Sequence, residues 1–506
     1  MAKDSPVALS ATRMIAGFAS GELTPSELIS ACLDRISAVN PKINALTAFD
    51  GEGAVIHAAQ STERWRSGNP IGPLDGLPIG VKDLQETRGL LTTYGSPRAR
   101  NHVPDRDLPM VARLRQAGAI ILAKTNVPEL GAGGNTRNPV WGATGNPFDP
   151  RLIAGGSSGG SAAALAADLL PLCTGSDTGG SLRLPAALCG VVGFRPSPDV
   201  IAHPTRPLGW SIISVLGPMA RTVEDVQLML GACHGFDPDD PLSAPSAPSR
   251  FDGLRERAPE TLRLGVSEDF GGVPVDPAIR ECFRARIAKL APRIAECRPV
   301  DLDLGGMDSV FDILRAESFL AAFDRAIEAA PDEFGDTIHA NVELGRTLSL
   351  ADRAWAHAEQ TRILRRFNRG IEGLDAIVLP TAPVSPFPWT KSHPEAIDGR
   401  QMDVYYRWLA LTYRGSLTGG PAITLPAGRD HLGMPFGLQL LGPMRGDEGL
   451  LTTARALETL LAKDPETARP RPDLDTLRVP EPGLRSIVTA PPGTAAVGTI
   501  ADVTAV

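Results

Sequence analysis

The sequence predicts an α/β protein built as one large body, and three observations carry that expectation. Helical stretches alternate with short apolar strands as far as residue 462, the pattern of a sheet covered by helices. One helix–glycine–strand unit is explicit: a helical stretch at 110–117, then Gly118, then an apolar strand at 119–123. The 506 residues are 42% hydrophobic and 21% charged, enough apolar material for a sizeable core. Length alone would allow two to four domains at roughly 150 residues each.

The elements follow in order. Residues 8–40 read as two helices. In the second, Thr24, Pro25 and Glu27 occupy the N-cap, N1 and N3 positions of a capping box. Leu28, Ile29, Cys32, Leu33, Ile36 and Val39 then share one face. Such a pair is suited to padding the core or to a homodimer contact. Strands are expected at 43–49, at 76–83 and at 119–123. Residues 138–150, rich in Gly, Pro and Asn, read as irregular. A small-residue helix follows at 161–170, a strand at 170–174, a helix at 182–188 and a strand at 190–194. Thr222 caps a helix running to about 232. Residues 241–250 are rich in Pro and Ser and form the best linker candidate. Beyond them, in a helix-rich segment of about 251–415, helices are expected at 277–295, 309–330 and 350–372. Strands are expected at 262–266, 376–379, 422–425 and 436–441, with a last helix at 449–462. Residues 481–506 have no helical period and read as a poorly ordered tail.

Composition removes several function classes. A net charge of −8 argues against gripping phosphate backbones, so no nucleic-acid partner is expected. The six cysteines are scattered with no CxxC pair, which fits reduced thiols in a cytoplasmic protein. The N-terminus lacks an apolar signal region and no 18-residue apolar run exists, so no membrane partner is expected. There is no HExxH motif or clustered His/Asp set, and no metal or other cofactor is expected.

The chemistry concentrates between residues 154 and 185. Ala154-Gly-Gly-Ser-Ser-Gly-Gly-Ser161 and Thr174-Gly-Ser-Asp-Thr-Gly-Gly-Ser181 are two glycine/serine turns. Each ends where a helix could begin, so free N–H groups would face a developing negative charge. Gly156-Ser-Ser158-Gly-Gly160 also matches the G-x-S-x-G nucleophile elbow. The preceding residues 147–153 make a poor strand, and His393 and His431 have no distinctive context. No Gly-Lys-Ser/Thr follows, so Walker chemistry is unsupported. What remains is a serine nucleophile without histidine, which needs another base. A deprotonated lysine can serve. Lys82 and Lys124 both end apolar strands and are equal candidates on local grounds; either could instead be a structural lysine.

The residues resemble the amidase signature family. The likeness runs through Gly155-Gly-Ser157-Ser-Gly-Gly-Ser161 and Gly175-x-Asp177-x-Gly179-Gly180-Ser181-x-Arg183-x-Pro185. It continues in Gly76-Leu-Pro-Ile-Gly-Val-Lys82-Asp83, Lys124-Thr-Asn-x-Pro-Glu-x-Gly131, Gly145-Asn-Pro147 and Gly217-Pro218-x-Ala-Arg221. It extends to Leu379-Pro-Thr381-Ala-Pro383 and Gly420-Pro-Ala-Ile…Pro435-x-Gly437-Leu-Gln439. Coverage is roughly residues 10–465.

The resemblance implies a single α/β/α domain, residues 1–480, around a mixed, mostly parallel sheet. It implies that Ser181 is the nucleophile, Ser157 a bridging serine after a cis peptide, and Lys82 the general base. Backbone N–H groups of Thr178, Gly179, Gly180 and Ser181 are expected to face the oxyanion, and Gly131 to meet the substrate. Ser158, Asp177 and Arg183 are expected to support the loop. The implied activity is hydrolysis of a carboxylic amide to acid and amine through an acyl-enzyme. Carbamate or ester hydrolysis on the same site is the alternative, and the glutaminase subunit of a tRNA-dependent amidotransferase is a further one. The segment 132–136 does not look like that subfamily. Phe319, Phe323, Trp355, Tyr405, Tyr406 and Trp408 are acyl-pocket candidates, with a mild preference for an apolar or aryl amide.

Overall fold

Eleven strands form one sheet in the computed structural model, which describes residues 5–254, 256–302 and 304–493. In chain order they are β1 (Leu46–Phe49), β2 (Pro78–Lys82), β3 (Ile120–Thr125), β4 (Leu172–Asp177), β5 (Val192–Arg195) and β6 (Val215–Ala220). Then come β7 (Arg263–Val266), β8 (Glu296–Pro299), β9 (Ala376–Pro380), β10 (Ala422–Arg429) and β11 (Pro435–Leu441). Their order across the sheet is β1-β3-β2-β4-β6-β5-β10-β11-β9-β7-β8. The sheet is mixed, as expected, but antiparallel pairs are the majority: six neighbouring pairs run antiparallel and four parallel. The parallel pairs sit in two blocks, β3-β2-β4 and β9-β7-β8. The first block matters for function. It sends the C-terminal ends of three strands to one end of the sheet, where ligands of α/β sheets gather.

Thirteen α-helices flank the sheet among the described residues. They are α1 (Ala11–Ser20), α2 (Pro25–Ile43), α3 (Gly51–Arg66), α4 (Pro109–Gln116), α5 (Gly159–Ala166), α6 (Arg183–Cys189) and α7 (Val223–Cys233). After them come α8 (Pro277–Leu290), α9 (Met307–Ala329), α10 (Asp336–Thr347), α11 (Leu350–Gly370), α12 (Ala410–Leu417) and α13 (Asp447–Ala462). The capping box of α2 forms: Glu27 N–H donates to Thr24 Oγ1 at 3.2 Å, and Thr24 N–H donates to Glu27 Oε2 at 2.8 Å. Met14 and Phe18 of α1 and Leu28 and Ile36 of α2 are buried in the main core, so this pair pads the core. None of the described helices is long and apolar enough to cross a membrane.

The sequence reading leaves α3, α10, α12, β6 and β8 unassigned, and two of these lack an apolar period. The buried face of α3 consists of Gly51, Ala54, Ala58, Ser61 and Thr62, residues too small or polar to register as an apolar stripe. β6 contains Gly217 and Pro218, which weaken a strand signal. Residues 138–150, expected as irregular, contain short ladders instead. Arg137–Asn138 pairs with Gly142–Ala143, and Gly145–Asn146 with Asp149–Ile153. Asn44 and Asn138 side chains hold these turns through backbone groups, which local composition does not reveal. The expected tail is also corrected for residues 481–493. Leu484 is buried, its carbonyl accepts from Ala143 N–H at 2.8 Å, and Pro139 C=O accepts from Thr489 N–H at 2.9 Å. Residues 494–506 lie outside the described residues.

Candidate active site

Lys82 is the last residue of β2 and is wholly buried. Its backbone N–H donates to Thr174 Oγ1 at 2.9 Å, which fixes β2 against β4. Its Nζ lies 2.8 Å from Ser157 Oγ, 2.8 Å from Ser158 Oγ and 2.9 Å from Ser176 Oγ. A neutral amine meets three hydroxyls with two N–H donations and one lone pair; an ammonium must donate to all three. Burial pushes the Lys82 pKa down to about 7, against the opposing pull of the Asp177 charge. A substantial neutral fraction therefore exists near neutral pH.

Ser157 follows a cis peptide bond from Gly156 and is 2% exposed. Glycine is required beside it. A Cβ on Gly156 would meet the Gly133 carbonyl oxygen at 2.7 Å, so the backbone approaches too closely for a side chain.

The second turn hangs on Asp177, the last residue of β4. Its carboxylate accepts from Gly180 N–H at 2.9 Å and Leu182 N–H at 3.1 Å. Arg183 grips it with Nε at 3.0 Å and Nη2 at 2.8 Å, and Arg195 Nη1 approaches at 3.2 Å. Burial opposes the charge, but these two guanidiniums prevail and hold Asp177 well below the usual carboxylate range. Arg183 is itself tied to Thr412 C=O, Gln439 and Ser416. All these groups are buried, so the turn is clamped from behind.

This clamp corrects one expectation. Gly180 N–H belongs to Asp177 and is withdrawn from the expected oxyanion donors. The N–H groups of Thr178, Gly179 and Ser181 have no acceptor among the described residues. Thr178, Gly179 and Ser181 all line one cavity, where a ligand oxygen can take up donors the protein leaves free. Gly180 has φ +120°, and a Cβ there would come within 2.1 Å of Thr412 Oγ1. Glycine is needed for both reasons.

Ser181 is half-buried and lines a cavity of about 170 Å³ together with Ser157, Ser176, Thr178, Gly179 and Gly131. Ser181 C=O accepts from Ser158 N–H at 3.2 Å, which locks the two turns together. The hydroxyls of Ser157 and Ser181 are not hydrogen-bonded to each other among the described residues. Gly131 has φ +75°; its N–H donates to Pro128 C=O, and a Cβ there would lie 2.8 Å from Leu84 Cδ1.

The structure separates the two lysines. Lys124 Nζ donates to Gln85 C=O at 2.5 Å and Thr87 Oγ1 at 2.8 Å, away from the serines. His393 and His431 do not line the cavity. Residues 149–153 are in fact a strand, paired with Gly145–Asn146 and bridged at Leu152 to Pro388, outside the central sheet. Among the aromatic candidates, Phe319, Tyr405 and Tyr406 line the cavity. Phe323 packs beside the Phe334 cluster, Trp408 is buried against Phe387, and Trp355 is exposed.

Two functional neighbours lie outside the expected set. Ser176 stands inside the second glycine/serine turn, and strand alternation puts it on the Thr174 face, beside Lys82. Arg195 is 18 residues beyond Asp177 in sequence and meets it only through the sheet. A buried arginine ending an apolar strand was the available signal.

The family model described as Amidase matches residues 27–451. An acylamidase of Rhodococcus erythropolis is 35% identical over 458 residues, covering 89% of this chain and 95% of that one. A glutamyl-tRNA(Gln) amidotransferase subunit from Salinispora arenicola (strain CNS-205) is 36% identical over 485 residues, covering 89% and 97%. The crystal structure of a bacterial aryl acylamidase of the amidase signature family superposes with a TM-score of 0.83 at 25% identity, covering 89% of this chain and 96% of that one. The chain belongs to the amidase signature family and is an amide hydrolase of that family.

Proposed function

We propose that this enzyme hydrolyses an apolar or aryl carboxylic amide through Ser181, Ser157 and Lys82. One observation carries the reading: a buried lysine, held near neutrality, within 2.8 Å of Ser157 Oγ. Neutral Lys82 accepts the Ser157 proton while Ser157 accepts one from Ser181. Ser181 Oγ attacks the amide carbon, and the tetrahedral oxyanion meets the N–H groups of Thr178, Gly179 and Ser181. A single such donor typically contributes about 3–4 kcal/mol of barrier reduction. The relay returns a proton to the leaving nitrogen, the C–N bond breaks, and amine departs. Water then attacks the acyl-enzyme by the same relay and frees the acid. Ser158, Ser176, Asp177 and Arg183 position the relay and the turn. The partner is a small-molecule amide, in a cytoplasmic setting. Carbamates and esters present the same carbonyl geometry and are further substrates of this site.

The likeness to the amidotransferase protein favours a second reading, a glutaminase subunit that passes ammonia to partner subunits. The purified chain is tested on aryl, aliphatic and amino-acid amides and carbamates, with mass spectrometry to trap the acyl-enzyme. The amidase reading expects turnover by the chain alone and an acyl adduct on Ser181 that is absent in Ser181→Ala. Glutamine hydrolysis only in the presence of co-purifying subunits would support the second reading instead.

A further inference from the structure

Five arginine side chains are buried among the described residues: Arg183, Arg195, Arg206, Arg221 and Arg315. Four have an aspartate within ion-pair distance. Arg183 and Arg195 face Asp177, Arg206 faces Asp240 at 2.9 Å, and Arg221 faces Asp168 at 3.4 Å. Arg315 makes no ion pair among the described residues, and it is the arginine that lines the cavity beside Ser181. A buried charge without a counter-charge is costly unless something completes it.

The groups that touch the Arg315 guanidinium are neutral. Nε donates to Asn341 Oδ1 at 3.0 Å, and Nη2 donates to Tyr405 Oη at 2.5 Å. The guanidinium lies over Phe319 at 4.7 Å and Tyr406 at 5.0 Å, ring faces that attract a cation but carry no net charge. Asp312, one turn earlier on α9, is engaged by Arg407 Nη2 at 2.8 Å and by the Tyr406 hydroxyl. Nη1 of Arg315 has no partner among the described residues. Tyr405 Oη accepts from both Arg315 and Asn341 Nδ2, so its own proton is left to point elsewhere. Ser318 lies one turn after Arg315 and lines the same cavity. Arg315, Tyr405 and Ser318 all line the cavity, and Arg315 Nη1 and the hydroxyl protons of Tyr405 and Ser318 have no acceptor among the described residues.

We propose that this cluster binds a carboxylate on the substrate, so that the enzyme acts on amides carrying a free acid group. The inference rests on the proposed hydrolysis at Ser181 and deepens it. Guanidinium and hydroxyl donors match the two oxygens of a planar carboxylate. The aromatic rings around them suit the aryl or alkyl frame between acid and amide.

The test compares charged amides with neutral ones of like shape. Succinanilic acid is matched with 4-methylpentananilide, and 4-acetamidobenzoate with 4-methylacetanilide. At least one acid should exceed its neutral match by about 10-fold or more in kcat/KM, the scale of a charge-assisted hydrogen bond. Arg315→Gln should lower kcat/KM for the acids by about 10-fold more than for the neutral anilides, and Arg315→Lys should retain part of the preference. Calorimetric binding of the same two acids to Ser181→Ala reads the anion site apart from turnover. Binding that Arg315→Gln abolishes in that background supports the cluster even if neither amide is hydrolysed, and then only the hydrolytic reading fails. Equal rates for acids and neutral matches in the wild type, with no acid binding to Ser181→Ala, would overturn the proposal. So would an equal loss on both substrate types in Arg315→Gln. The wild-type comparison decides even where Arg315→Gln does not fold.

Discussion

Lys82 is the last residue of β2 and Lys124 the last but one of the neighbouring parallel strand β3, and each is wholly buried. Lys82 is in register with Thr125, and Val81 with Lys124, so the pleat sends the two side chains to opposite faces. Burial pushes both lysine pKa values down. Their neighbours then decide what each can do. Lys124 meets the Gln85 carbonyl, which can only accept, and the Thr87 hydroxyl, whose own proton goes to that same carbonyl, and so favours an ammonium; the Asp83 charge acts in the same sense. Lys82 meets three serine hydroxyls, which can accept or donate. Burial alone therefore does not make a base. A base also needs a partner with a proton to give.

That comparison can be broken in several ways. The largest expected effect is Lys82→Met, which should lower kcat by about 10²–10⁴-fold, the usual range for a general base. Its far-ultraviolet circular dichroism should match the wild type. Full activity in that variant would remove Lys82 from the chemistry. Arg183→Met should act through stability, because it leaves Asp177 with one guanidinium in place of two. A loss of about 3–5 kcal/mol is expected from breaking a buried pair, read in urea unfolding. Lys124→Met takes one donor from the Gln85 carbonyl, which keeps the Thr87 hydroxyl, and removes the cation that faces the Asp83 charge. It should cost about 1–3 kcal/mol of stability while kcat of the folded protein stays within about three-fold. A collapse of kcat at unchanged stability would make the two lysines alike. Gly180→Ala sharpens the picture further. Its positive φ and the contact with Thr412 should cost about 1–3 kcal/mol, measured as a lowered Tm, and kcat should fall with it.

Much of the fold and site was legible in the sequence. The elements that could be read were those whose apolar spacing or capping is local: the Thr24 capping box, the strands ending at Lys82 and Lys124, and the two glycine/serine turns. What could not be read depends on partners distant in sequence. Nothing near Gly180 announces that its N–H is held by Asp177, or that Thr412 occupies the space a Cβ would need. The choice between Lys82 and Lys124 rested on resemblance, because both have the same local context. The helix at Gly51–Arg66 buries small and polar residues, and the strand at Val215–Ala220 carries Gly and Pro, so neither offered a pattern. Residues 481–493 looked featureless because their order comes from the Gly142–Ala143 ladder they lie against.

The central claim is that neutral Lys82 takes the proton from the serine pair. The pH dependence of kcat/KM tests it most directly, measured on one amide for the wild type and Lys124→Met. With the lysine pKa lowered to about 7, the neutral form is the minority below pH 7 and dominates above it. Activity should therefore rise with pH through about 7, by up to tenfold per unit on the acid side, and level off in the mildly alkaline range. Lys124→Met should leave that limb in place. A profile with its maximum near pH 5, or a limb that shifts in Lys124→Met and persists in the residual activity of Lys82→Met, would contradict the account.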